Sequence, residues 1–479
     1  VPVLLLLASC SLAIGAAWHD TRSWSHQEEQ AYSEWIEQLG KRPWKSVHQM
    51  LHNKDANSLY DASDKHLVFR ADCGDLPFVL RSYYAYKRKL PMIVTVVRGG
   101  NYSHTPNPTV AMVTNRDFQG NTRDFFLRLP DMVSTAHLRT HYQHPNTACY
   151  PIAINRGALK PGTIFYDPHG HTAVVCSVAS DGTIHFIDAH PDQSVTRTVF
   201  GPKFHLKTSV HDGGFLKFRP IRDQAGLPVF ENEIQRLPNL RTEQLHITKN
   251  YHMKIKLRLA QTRLDPVKDL EQYIRNDTHQ EALDRVDSVK RGWAIARHTP
   301  IHIPPNIYYA EGPWENYSTP GRDMRLRLSF LNIPTRIIHY MTLSRQSPEL
   351  LTGKVRDPEI LLQQLVQMQQ HLFKTLTITY PNSKGKPVTL SLHDIEQRLF
   401  LLSFDPNHPP ELRWGAQGKE LEPAARNRAH YFAGYALEQP WRNRLTKKRG
   451  PMLPSDQDNP KHPPKHNISR MVRQLISPP

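Results

Sequence analysis

The chain has 479 residues, 39% hydrophobic and 22% charged, a balance that excludes a multi-span membrane protein and a wholly disordered one. Its net charge is +17, from 61 Lys and Arg against 44 Asp and Glu, and its 39 prolines predict long irregular connections. A chain of this length accommodates about two to four domains, each able to bury a core.

The first residues, VPVLLLLASCSLAIGAAWHD, form an uncharged apolar run ahead of His19 and Asp20. It is short for a spanning helix and ends in small residues, which suits an export signal over residues 1–17. Two processing sites compete. Leu7-Ala8-Ser9-Cys10 resembles a bacterial lipobox, which would lipidate Cys10, and Gly15-Ala16-Ala17 offers a cleavage after Ala17. Export disfavours nucleic acid as a partner and places Cys73, Cys149 and Cys176 in an oxidising compartment, where three thiols form at most one pair.

Tyr32, Trp35, Ile36 and Leu39 recur at helical spacing within 26–39, and a short second helix is expected in WKSVHQMLHN, closing an N-terminal region over 18–54. RADCGDLPFVLRSYYAYK follows at 70–87, then the β-branched run LPMIVTVV, and 101–160 reads as irregular. Strand character returns in GTIFYD, HTAVVCSV, TIHFIDA and FLKFRPI, with a tight hairpin at ASDGT. These runs give an α+β unit over 55–225, a cysteine-bearing helix on a small antiparallel sheet. From 226 to 445 the pattern is mostly helical, with strong signals in KDLEQYIRNDTHQEALDRVDSVKRGWAIAR and in DPEILLQQLVQMQQHLFKTL, and it carries no catalytic motif. Residues 446–479 read as a disordered basic tail. From Arg442 onward nine Lys or Arg face two Asp, a charge of +7 suited to anionic envelope polymers.

Cys73 admits four roles: core residue, disulfide half, metal ligand or nucleophile. Proline is comfortable only in the first helical turn, so Pro77 pins a helix start near 72–75 and places Cys73 beside it. There the free amides favour a thiolate and can hold an oxyanion, while the charge of Asp72, a helix-capping candidate, opposes the thiolate. A nucleophilic cysteine needs a base. His171 begins a strand directly after Gly170, and Asp188 lies one hairpin later, placed to orient the imidazole, with His190 as the competing third member.

A Cys at a helix start, then PGTIFY and GHTAVV, then a hairpin and FIDAH, resembles the papain-like fold of NlpC-type cell-wall peptidases. Asp72-Cys73, Pro161-Gly162 and Gly170-His171 match the family pattern. Gly74-Asp75 replace its Ser-Gly, Thr163 stands for its Asp, and Asp188 falls where the family usually has His. The resemblance implies an exported thiol hydrolase that cuts peptide or isopeptide links of the bacterial cell envelope with Cys73, His171 and Asp188 and no cofactor. Transglutaminase-like acyl transfer by the same triad, and an inactive envelope scaffold, are the alternatives.

Other stretches compete for a role. His169, His171, His185, Asp188 and His190 crowd one interval as zinc-type residues, but match no zinc signature. Asp72 beside the thiol is a substrate-binding candidate, and in EGPWENYSTPGRDMRLR Trp314, Tyr317 and Arg322 are substrate-groove candidates, set against a structural loop with a buried Trp and an Arg–Asp pair. LLSFDPNHPPELRWG at 401–415 reads the same way.

Overall fold

The computed structural model describes residues 16–97, 110–145, 147–168, 170–201, 203–204, 213–247, 251–302, 312–352 and 357–421. Residues 1–15, on which most of the expected export signal and Cys10 fall, His169 and the C-terminal segment read as a tail lie outside them.

The Ser25 hydroxyl accepts the amide of Glu28 and starts α1 (His26–Leu39), whose Tyr32, Trp35, Ile36 and Leu39 are all buried. A short α2 (Val47–Leu51) follows, and then α3 (Leu76–Arg88), with Pro77 in its first turn and Lys89 in the left-handed conformation at its end. Ten consecutive residues of α3, Leu76 to Ala85, are buried, so this helix is central rather than amphipathic. β1 (Ile93–Val97) pairs antiparallel with β2 (Val110–Thr114), and α4 (Thr122–Met132) begins with a capping box between Asn121 and Asp124. The stretch 101–160 is therefore not irregular where it is described: short elements break up the periodicity that sequence windows need.

The main sheet has six strands in the order β3 (Cys149–Pro151), β8 (Gly214–Phe218), β4 (Ile164–Asp167), β5 (His171–Val178), β6 (Ile184–Ala189), β7 (Val195–Val199), and every pairing is antiparallel. Strand alternation divides it into two buried faces. Ile164, Tyr166, Val174, Ile187, Leu216 and Phe218 join one core with α1, α2 and α3. Phe165, Ala173, Val175, Phe186 and Phe215 join a second core with Leu237, Tyr251, Ile255 and Leu259. The last three belong to α5 (Tyr251–Leu259).

The boundary expected at 225 falls inside the hairpin of β9 (Ile221–Gln224) and β10 (Leu227–Phe230), whose Ile221 and Phe230 belong to the first core. The N-terminal helices share that core as well, so 18–54 is not a separate region.

Beyond α5 come α6 (Pro266–Tyr273), a π-helical turn at Ile274–His279, α7 (Gln280–Ala296), α8 (Pro313–Tyr317) and α9 (Pro320–Gln346). Then α10 (Pro358–Thr375), the hairpin β11 (Thr377–Pro381) and β12 (Pro387–Ser391), α11 (Leu392–Arg398) and α12 (Pro410–Arg413) complete the described chain. Leu270, Phe330, Ile337, Leu365, Phe373 and Trp414 are among the residues of their own core. The molecule is thus mixed α+β with antiparallel sheets, and no described helix is long and apolar enough to cross a membrane.

Candidate active site

Cys73 lies in the turn that feeds α3. The Asp72 carboxylate accepts the amides of Gly74 at 2.8 Å and Asp75 at 3.2 Å, and the Leu76 amide reaches the Asp72 carbonyl at 3.1 Å. This turn holds the cysteine one residue clear of the first capped amides. Asp72 is thus a positioning residue of the turn.

Asp75 stands at the N-cap but makes no side-chain cap, and its carboxyl instead accepts the Asp72 amide at 3.0 Å. Burial, helped by the charge of Asp72, pushes the Asp75 carboxyl up to about 8. At neutral pH Asp75 therefore mostly keeps its proton and adds little negative charge beside the thiol.

A side chain at position 74 has no room. A Cβ there would lie 2.8 Å from the Thr135 amide nitrogen and 3.2 Å from the Ser134 carbonyl carbon. The closeness of the 134–135 segment is the physical reason this position holds Gly where the resembled family has Ser.

His171 opens β5 directly after Gly170, whose φ of +102° is a conformation that suits glycine. The Gly170 amide donates to the Asp167 carbonyl at 2.9 Å, closing a tight turn, and the Gly170 carbonyl faces the Cys73 Sγ at 3.8 Å. Val174 stands opposite Ile187, which carries Ala173 toward Asp188 and leaves His171 diagonal to that acid on the same sheet face. The result is a contact of 3.0 Å between His171 Nε2 and Asp188 Oδ2. Cys73 lies close enough to the His171 ring to act on its charge. Since Asp188 occupies Nε2, the nitrogen left for the thiol is Nδ1.

Asp188 is almost fully buried, yet its acceptors are filled. Its second oxygen accepts the Thr196 hydroxyl at 2.6 Å from the register partner on β7. With its proton on Asp188, the Thr196 hydroxyl accepts in turn from His190 Nε2 at 2.9 Å. His190 therefore stands behind the acid rather than replacing it: its own distance to Asp188 is 3.9 Å, while its ring stacks on His171 at 6.2 Å between centroids.

The electrostatics follow from these contacts. Burial alone would lower His171, but the Asp188 carboxylate that accepts its Nε2 proton, with the neighbouring Cys73, pushes it up to about 10. Burial would raise Asp188, and the His171 bond, the neighbouring histidines and Thr196 hold it at about 2. His190 is held down at about 4 by burial, with Arg322 and Arg325 adding to the effect. At neutral pH the arrangement is a protonated His171 on an ionised Asp188, with a neutral His190 behind it.

The other thiols differ. Cys149 and Cys176 are buried and unpaired, and burial pushes them up to about 12 and about 11. No disulfide joins them, and Cys73 is the more exposed of the three. For metal binding, no group of three or more His, Cys, Asp or Glu converges among the described residues. His185 stands on the sheet face opposite Asp188 by strand alternation.

The three groove candidates separate. Trp314 is 2% exposed and packs against Phe404, which removes it from any substrate surface. Tyr317 is partly buried, and its carbonyl accepts from Arg413 at 3.0 Å. Arg322 lies near His190 instead. Asp323 pairs not with its neighbour Arg322 but with Arg285 at 2.7 Å. Within 401–415, Trp414 is wholly buried and Ser403 meets His408 at 2.6 Å, so this stretch is structural.

Sequence reading passed over Thr196, Thr135 and Gln193. Thr196 carried a weak signal, since alternation along β7 points it the same way as its partner Asp188. Gln193 carried none: its side chain accepts the Ala71 amide at 3.0 Å across 122 residues, tying the β6–β7 turn to the segment that leads into Cys73. A cleft of about 530 Å³ lies elsewhere, between the β5–β6 turn and the helices α5 and α6. No family model, curated protein or solved structure matches this chain.

Proposed function

We propose that the chain is a papain-like thiol hydrolase acting on a peptide or isopeptide bond of the bacterial cell envelope. The observation that carries this reading is the relay from Cys73 through His171 to Asp188, with its 3.0 Å imidazole–carboxylate contact at the mouth of a buried acid.

In the reaction the Cys73 Sγ attacks the carbonyl carbon, and the oxyanion gathers at the Cys73 backbone amide. His171, already protonated, passes its Nδ1 proton to the leaving amine, and a thioester remains on Cys73. A water that loses its proton to His171 then cleaves the thioester, releasing the acid and returning the Cys73 thiolate beside a protonated His171. Asp188 holds the imidazole in one orientation and stabilises its charge throughout. An amine in place of water would make the same centre an acyl transferase. Export over 1–17, an anchor at Cys10, and attachment of the basic tail to anionic wall polymers belong to the same proposal and rest on composition.

The test is the pH profile of Cys73 alkylation by iodoacetamide, followed by mass spectrometry, in the wild type and in His171→Ala. Fast labelling well below the ordinary thiol value of about 8.5, lost in His171→Ala, is the expected result. Labelling that tracks an ordinary thiol in both proteins overturns the nucleophile. Product analysis in water and with added amine then separates hydrolysis from transfer.

A further inference from the structure

A cleft of about 350 Å³ opens away from the thiol, within the range of roughly 300–1,000 Å³ that takes a small molecule. It lies between the start of α1, the end of β8 with the β9 strand, and the turns at 157–160 and 236–239. Lys160 precedes β4, whereas the His171 turn follows that strand, so the cleft and the thiol stand at opposite ends of β4.

The wall is apolar, with Tyr150, Phe218, Pro220, Ile221 and Pro238 lining it beside Trp24. Its rings are not free to stack on a sugar. Trp24 is taken by the Arg81 guanidinium, 3.4 Å from its ring centroid, and by Tyr84 stacked at 5.8 Å, while Tyr150 and Phe218 are buried. The wall therefore offers apolar surface rather than an aromatic platform.

The cations that line the cleft divide into those with acids and those without. Arg222 pairs with Glu231, and Arg236 with Glu233 at 2.8 Å. Glu29, the acid that lines the cleft among the described residues, is held by Arg81, whose guanidinium reaches both of its oxygens. Lys217 comes no nearer to Glu29 than 3.9 Å, and the exposed Lys160 makes no ion pair among the described residues. A narrow pocket of about 20 Å³ adjoins the cleft, sharing Glu29, Lys160, Lys217 and Phe218. It adds Arg81 and Tyr32, whose buried hydroxyl has no hydrogen-bond partner. Here three cations meet one carboxylate, an excess of two positive charges beside apolar surface. Burial first, and then the charges of Arg81 and Lys160, hold the Lys217 ammonium below its ordinary range against the pull of Glu29. An arriving anion relieves that repulsion.

We propose that this cleft binds a small amphipathic anion, one carboxylate, sulfonate or phosphate head on an apolar body. The head sits on Lys160 and Lys217 and the body along Phe218, Pro220, Ile221 and Pro238. The site is separate from the thiol and does not rest on the hydrolase reading.

Equilibrium dialysis of the full chain tests it with three probes: 2-naphthoate carries head and body, 2-naphthalenemethanol the body alone, and acetate the head alone. 2-Naphthoate is expected to bind at one site, about tenfold or more tighter than either of the others, and K160Q/K217Q to lose about tenfold. K160Q alone, a change at an exposed side chain that leaves the fold intact, should lose about threefold, and R236Q, at a cation that already has its acid, should stay within about twofold. Equal binding of 2-naphthoate and 2-naphthalenemethanol overturns the anionic head, and equal binding of 2-naphthoate and acetate overturns the apolar wall. Unchanged binding in K160Q/K217Q, or an equal loss in R236Q, overturns the assignment to the two lysines. Sedimentation with phosphatidylglycerol vesicles that K160Q/K217Q abolishes, without binding of 2-naphthoate, overturns the small molecule in favour of a membrane surface.

Discussion

Two charge pairs, one in each half of the molecule, differ in kind. In the helical half Arg285 and Asp323 meet at 2.7 Å with both side chains 0% exposed, and Arg285 also donates to the carbonyls of Ser403 and Arg413. At the sheet, His171 and Asp188 meet at 3.0 Å with the acid 5% exposed and the imidazole 34% exposed. The first pair is closed on all sides and locks α7 and α9 to the 403–413 segment. The second is closed only at the acid end, so its charge can act on something that arrives from outside. Burial of the acid and exposure of the base separate a reactive pair from a structural one.

Breaking the closed pair should have the largest effect. Asp323→Ala leaves Arg285 buried without its acid and is expected to cost about 3–5 kcal/mol, read as a lower urea midpoint. A loss under about 1 kcal/mol would mean that the carbonyls alone satisfy the guanidinium.

Breaking the open pair should cost reactivity more than stability. Asp188→Ala removes the bond and charge that raise His171, so Cys73 alkylation at pH 6 is expected to fall about tenfold or more, one pKa unit being a factor of ten. The urea midpoint should move less than in Asp323→Ala, and the reverse order would erase the distinction between the pairs.

Asp75 sharpens the comparison through pH. The native carboxyl keeps its proton up to about 8, whereas the unfolded chain loses it near about 4. The native state therefore binds more protons between those values, and stability falls as pH rises through that window, by on the order of 1 kcal/mol per unit at most. Asp75→Asn is expected to flatten this slope and leave the acid limb unchanged. A slope equal to that of the wild type would assign it to other groups.

Gln193→Ala tests the tether. One hydrogen bond to the Ala71 amide is lost, with an expected cost of about 0.5–1.5 kcal/mol. A small drop in Cys73 alkylation with an unchanged pH profile would mark Gln193 as a positioning residue.

Much of the local structure was legible in the residues. Helical spacing of Tyr32, Trp35, Ile36 and Leu39, Asp357 ahead of Pro358, Pro77 in a first turn and the Asp181-Gly182 hairpin each act within a few residues, so the helices at 26–39, 76–88 and 358–375 and the β5–β6 hairpin could be read directly. The same local logic put Cys73 at a helix start and His171 at a strand start.

What the sequence by itself determined, then, is the set of elements and the chemistry attached to their ends, because caps, prolines and alternation act over one or two turns. The tertiary structure decided which ends meet. Register placed Asp188 diagonal to His171 and put Thr196 and His190 behind it, close packing of 134–135 barred a side chain at 74, and long-range burial turned Trp314 inward. These outcomes depend on contacts between residues far apart in the chain, whose energies are set by packing and desolvation that no short window of residues contains.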